Sequence, residues 1–228
     1  MKNILFLIPP SEGKKRWWSY GGESLNFIFK KPDVLLKKAS EKDLKCKWLR
    51  YEDAKELNKN IKTWPFMSVY ERYNGEMFKA ISYEKLSPKG KDFFCNHFYI
   101  FSWYYWFLKA TDIVANYKLP IDAKGLKNFW QKQINDFLIK KIDTPIISLL
   151  PESYEKVINK KLLKDRYLRV EFKERKWNKE VRLAHGSKKI KWEFIRNICE
   201  NEISDLNQFW TIIRDENWIQ NLKIYEQK

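Results

Sequence analysis

Histidine and cysteine are scarce in this chain of 228 residues: two histidines, His97 and His185, and three cysteines, Cys46, Cys95 and Cys199. An odd, scattered cysteine set makes no disulfide framework and contains no CxxC knuckle. Two lone histidines cannot complete a zinc centre of the usual kind. No metal and no cofactor is therefore expected, and reduced thiols fit a cytoplasmic protein. Glycine and proline are also few, at 7 and 8 residues, which excludes a linker-rich or low-complexity chain. Long apolar runs are missing as well. The most hydrophobic stretch, Phe98 to Leu108, falls well short of the roughly 20 residues that span a bilayer. Met1 to Ile8 stops at Pro9-Pro10 without the apolar core or cleavage site of a signal peptide. The expectation is a protein with no membrane partner.

Aromatic residues and positive charge are abundant. With 17% Phe, Trp and Tyr the chain can build a sizeable core, and disordered chains are poor in these residues. Lysine plus arginine total 45 against 29 acidic residues, a formal charge of +16. Such a surface attracts polyanions: nucleic acid, a phosphorylated small molecule or an anionic membrane. Lysine-rich composition is the alternative source of the same charge, since net charge by itself locates no site.

Asn3 to Ile8 reads as a buried strand closed by two prolines, and Pro145 to Leu150 as a second. Tyr167 to Phe172 alternates, meets a charged Lys173–Lys179 turn, and returns through Val181-Arg182-Leu183 as a hairpin. Leu126, Phe129, Trp130, Ile134, Phe137 and Leu138 form one helical stripe. Asp33 to Ile61 predicts two helices broken near Cys46–Arg50. A helix joining two hydrophobic strands suits a single mixed α/β or α+β domain over residues 1–228, with a central sheet flanked by helices.

Three segments carry candidate chemistry. IPPSEGK (Ile8–Lys14) places Ser11, Gly13 and Lys14 just after a buried strand, where open sheets collect ligands and where a lysine with free amides suits a phosphate. An ordinary exposed turn fits the same residues. Ser102 to Leu119 sets Lys109, Asp112, Tyr117 and Lys118 after a dense aromatic run. A carboxylate between two lysines is held ionised there, and a dry lysine has a lowered pKa. A core helix with salt-bridged ends is the plainer account. In Ser187 to Asn201, Ile190, Phe194 and Ile198 recur every four residues, so a helix starts near Ser187. Its first turn holds Lys188, Lys189 and Lys191, the wrong sign for the positive end of a helix, and Arg196 extends the face of Lys189. That conflict points to an anion site or to a solvated lysine face.

In order along the chain, six pieces resemble the YaaA family, bacterial proteins linked to peroxide stress: ILFLIPPSEGK (Ile4–Lys14), YNGEMFKAI (Tyr73–Ile81), IFSWYYWFLKATDIVANYKL (Ile100–Leu119), GLKNFWQKQINDFL (Gly125–Leu138), IISLLPESY (Ile146–Tyr154) and KKIKWEFIRNICEN (Lys188–Asn201). Trp103, Trp106 and Trp192 stand where the family has glycines, Ala110 where it has proline, and Lys109 and Lys118 where it has arginines. Pro151-Glu152-Ser153 replaces its Ser-x-Glu. The resemblance implies a DNA-binding protein with an α/β-containing fold and a positive cleft, protecting DNA without sequence specificity during oxidative stress. The residues carried over are Ser11, Lys14, Lys109, Asp112, Tyr117, Lys118, Lys188, Lys189, Lys191 and Arg196. An enzyme acting on a nucleotide or damaged base is the alternative, with Lys14, Asp112 and Lys188 or Lys189 converging in one lysine–carboxylate site. A third reading is an adaptor with an exposed aromatic surface.

Overall fold

The computed structural model describes residues 4–16, 31–63, 65–176, 179–182, 187–214 and 222–226, with side chains described at these positions other than 173–190, 214 and 222–226. Nine strands are present among them: β1 (Leu5–Ile8), β2 (Met67–Ser68), β3 (Phe98–Ser102), β4 (Trp106–Leu108), β5 (Ile113–Val114), β6 (Ile146–Ser148), β7 (Tyr167–Lys176), β8 (Lys179–Arg182) and β9 (Leu222–Glu226). Seven of them form one sheet in the order β4-β3-β1-β6-β7-β8, with β9 also on β7. β2 and β5 make a separate antiparallel pair. The chain is thus mixed α/β with a central sheet.

β1 is buried at all four positions, as its unbroken apolar sequence requires of a central strand covered on both faces. It runs parallel to β3 on one side and β6 on the other, and β6 runs parallel to β7. β4, β8 and β9 are antiparallel additions. β7 continues through Lys173–Lys176 and β8 pairs with it antiparallel from Lys179, so much of the expected Lys173–Lys179 turn is strand. Leu183 lies outside the described residues, as does His185.

The helical stripe becomes helix Leu126–Lys140, which buries Leu126, Trp130, Ile134 and Leu138. Its Trp130 Nε1 donates to the Trp103 carbonyl at 2.7 Å, tying the helix to the β3–β4 turn. Between Asp33 and Asn60 there are three helices rather than two, Asp33–Lys38, Glu41–Leu44 and Leu49–Lys59. Ser40, bonded reciprocally to Asp43, caps the middle one.

The aromatic run from Phe98 to Leu108 is a β-hairpin, not a helix. Trp103 and Trp106 are each 2% exposed, which removes them from any exposed aromatic surface. Trp106 has φ 81°, the left-handed region that glycine adopts without strain. The backbone therefore holds the shape suited to the family's glycine, while the indole fills the core at 5.1 Å from the Trp130 ring. No helix among the described residues is long and apolar enough to cross a membrane.

Candidate functional site

The parallel strands β1, β3 and β6 end on one edge of the sheet, and the turn after β1 is clamped there. Ser11 Oγ donates to the Gly13 carbonyl and accepts from the Gly75 amide, both at 2.8 Å. Asn74 N–H reaches the Gly13 carbonyl at 2.9 Å, and Lys14 forms an antiparallel bridge with Tyr73. Arg72, 1% exposed, donates to the Lys15 carbonyl at 2.6 Å and to the Pro65 carbonyl at 2.5 Å. The Ser11 hydroxyl is thus engaged in building the turn.

This clamp points the Lys14 ammonium inward. Its Nζ lies 4.3 Å from the Tyr117 ring centre and 5.6 Å from that of Tyr73. Tyr117 Oη is 2.7 Å from Ser102 Oγ and 3.4 Å from Tyr73 Oη, and Ser102 Oγ accepts the Tyr105 amide at 3.0 Å. Burial, followed by the charge of Lys118, lowers the Lys14 pKa to about 7, against the opposing pull of Glu12. Burial raises Tyr117 and Tyr73, which stay protonated at neutral pH. A pocket of about 20 Å³ opens here, lined by Ser11, Glu12, Lys14, Trp103, Tyr117, Lys118 and Tyr154 among others. That is room for a water molecule, not for a base.

Lys109 and Asp112 are not in this pocket. β4 runs antiparallel to β3, so Lys109 emerges beside Tyr99, on the amino-terminal side of the sheet. Its Nζ donates to the Asn96 carbonyl at 2.8 Å and sits 3.5 Å from the Tyr99 ring centre. Burial, helped by Lys141, lowers its pKa to about 8. Asp112 accepts the backbone amide of Lys109 at 2.8 Å, and burial raises its pKa. The expected carboxylate held ionised between two lysines is therefore corrected: Asp112 closes a tight turn, and Lys118 faces Glu12 at 3.6 Å instead.

The helix expected near Ser187 spans Ser187–Glu200. Lys188 and Lys189 lie in its first turn, but their side chains are outside the described set. Lys191 turns inward, its Nζ donating to the Leu149 carbonyl just beyond β6. Burial, with Arg169 adding to it and Glu155 opposing, lowers its pKa to about 7. Glu155 is itself buried, accepting from Ser148 Oγ and from Tyr167 Oη at 2.6 Å, with Lys160 Nζ at 2.7 Å. Trp192 stacks toward Phe78, which packs edge-on against Tyr73, so the helix touches the Lys14 cluster through aromatic rings. Arg196 donates to the Lys85 carbonyl at 3.2 Å.

Lys118 belongs to a second, far larger concavity as well, a groove of about 1060 Å³. Its walls carry Arg16, Lys42, Lys45, Lys47, Arg50 and Lys118 against Glu41 and Asp53, together with Cys46 and Trp48. Arg16 pairs with Asp53 at 3.7 Å and Lys45 with Asp122 at 2.6 Å. Among the described residues Lys42, Lys47 and Arg50 form no ion pair. Sequence reasoning missed this wall, and it missed Tyr73, Ser102, Arg72 and Tyr154. Tyr73 opens a segment that the family resemblance alone singles out, whereas the groove residues follow no periodicity. Among the described residues no cluster of histidine, cysteine or carboxylates is arranged to hold a metal ion.

A mixed sheet whose carboxyl edge gathers two lysines of lowered pKa, beside a groove with basic walls, defines an α/β protein with a polar site at the ends of its parallel strands. The chain belongs to the family described as peroxide stress protein YaaA, whose profile matches residues 5–221. It is similar to UPF0246 proteins of Rickettsia conorii (32% identity over 139 residues, 58% of this chain and 56% of the relative) and Fusobacterium nucleatum (29% over 171 residues, 72% and 66%). A Francisella tularensis relative is 28% identical over 150 residues, 60% of this chain and 59% of its own length. The chain thus spans between 56% and 66% of the length of these curated relatives.

Proposed function

We propose that the protein binds DNA, without sequence specificity and in the cytoplasm, as part of protection against peroxide stress. The observation that carries this reading is the groove shared by Arg16, Lys42, Lys45, Lys47, Arg50 and Lys118, with six basic side chains facing two acidic ones. Both carboxylates are engaged: Asp53 pairs with Arg16, and Glu41 accepts the Trp48 amide. Phosphates entering the groove meet surplus positive charge and displace counterions, which makes affinity electrostatic. In this reading the groove is the anion surface, with Lys118 at its junction to the Lys14 turn. Lys14, Lys109 and Lys191 face carbonyls or rings inside the fold. Charge reversal of Lys47 and Arg50 together lowers affinity for a labelled duplex at least ten-fold in an anisotropy titration. Unchanged affinity, with the fold intact, contradicts the proposal.

A second reading rests on Lys14. An amine with a pKa near 7 in a shielded pocket is in part neutral at physiological pH and so is nucleophilic. The reading of an enzyme acting on a nucleotide or a damaged base narrows here to the open-chain aldehyde of an abasic sugar, since the pocket of about 20 Å³ admits no base: the Lys14 amine adds to the aldehyde carbon and water leaves to give a Schiff base. Glu12, not Asp112, is the carboxylate acting on this lysine. Borohydride trapping on abasic DNA, lost in Lys14→Met, supports that reading. DNA binding with no trapped adduct leaves a plain binder.

A further inference from the structure

Among the described residues Trp48 stands apart from the tryptophans of the core by its exposure. Trp48 is 81% exposed and Leu49 84% exposed, whereas Trp103, Trp106, Trp130 and Trp192 are each at most 2% exposed. The indole belongs to the wall of the groove of about 1060 Å³, between Lys47 and Arg50 in sequence.

The backbone holds it there. Trp48 has φ 52° and ψ −128°, outside the regions comfortable for a residue with a β-carbon, and Lys45 three residues earlier is left-handed at φ 52°. The strained residue is pinned on both sides. Its N–H donates to Glu41 Oε1 at 3.3 Å, and its carbonyl accepts the amides of Tyr51 at 2.9 Å and Glu52 at 3.1 Å. Left-handed backbone at a bulky residue is strained and persists where the surrounding structure fixes it. Here it presents a large aromatic face in a concave, cation-lined channel.

We infer that this groove takes single-stranded nucleic acid, with an unpaired base stacked on Trp48 and the flanking phosphates held by Lys42, Lys47 and Arg50. The inference rests on the DNA-binding reading and deepens it. Stacking on an aromatic ring is open to every base but needs that base out of a duplex, and basic side chains alongside an aromatic platform suit a strand with exposed base faces. Charge complementarity argues against an apolar protein partner. An anionic bilayer would also accept a tryptophan and cations, but a flat lipid surface does not enter a concave wall.

The test uses the intact protein with labelled oligothymidylate, a blunt duplex, and an abasic strand carrying the same phosphates. Trp48→Ala weakens oligothymidylate binding about ten-fold while changing duplex and abasic binding less than two-fold, and Trp48→Phe retains most of the affinity. Circular dichroism checks that both variants fold. Equal losses on all three ligands, or no loss on oligothymidylate, overturn the inference and leave the DNA-binding reading standing. Absence of binding to every oligonucleotide by the unmutated protein overturns both. Trp48-dependent binding to anionic vesicles, with oligonucleotide binding unaffected, assigns the residue to a membrane and overturns the inference.

Discussion

Lys14 and Lys191 have pKa values lowered to about 7, by burial above all. Below pH 7 each is charged in the folded and unfolded chain alike, and the folded state bears the whole cost of the shielded charge. Between pH 7 and about 10.5 the folded state releases protons that the unfolded state retains, so stability rises with pH across that window. Chemical denaturation at pH 7 and pH 9 is expected to show a gain on the order of 1–2 kcal/mol for each lysine. Lys14→Met loses its share of the gain. An equal gain in the variant means that the Lys14 ammonium is not shielded. Neither lysine's behaviour is written in its neighbours along the chain. Lys191 stands in a run of cations that reads as a solvated face, and only the folded helix turns it toward the Leu149 carbonyl.

Among the elements, those with continuous or periodic apolar patterns were legible in advance: β1, β6, the β7–β8 hairpin, and helices Leu126–Lys140 and Ser187–Glu200. Their patterns are set by burial, which the sequence records directly. Phe98 to Leu108 was not legible as a hairpin. Residues apolar at every position suit either period, and the turn at Trp103–Tyr105 has no glycine or proline to mark it. The clamp on the β1 turn was equally hidden, because it joins residues 11–15 to 65–75 through Arg72 and Gly75. Gly75 is the tight point, since a β-carbon there would lie 2.4 Å from Ser11 Oγ. Gly75→Ala therefore costs about 1–3 kcal/mol in thermal or urea unfolding, and Ser11→Ala in the same chain recovers part of the loss. Strictly additive effects contradict the close approach.

Over the whole molecule, the surplus of 16 positive charges is divided between inward and outward roles. Lys14, Lys109 and Lys191 lie against rings and carbonyls within the fold, while Lys42, Lys47 and Arg50 are exposed at the groove. Composition announced the surplus without its address, because the groove draws on side chains from residues 16, 42–50 and 118, which no local pattern connects. Family membership supplies the link to peroxide stress, and the groove supplies the proposed means of holding DNA. The most direct test is the slope of log affinity against log salt concentration for a duplex, in the unmutated protein and in a variant with Lys42, Lys47 and Arg50 replaced by alanine. The account predicts a steep negative slope that becomes shallower by about 2–3 in the variant, since each phosphate left without its cation removes about 0.9 from the slope. A salt-insensitive affinity, or the same slope in both proteins, would contradict it.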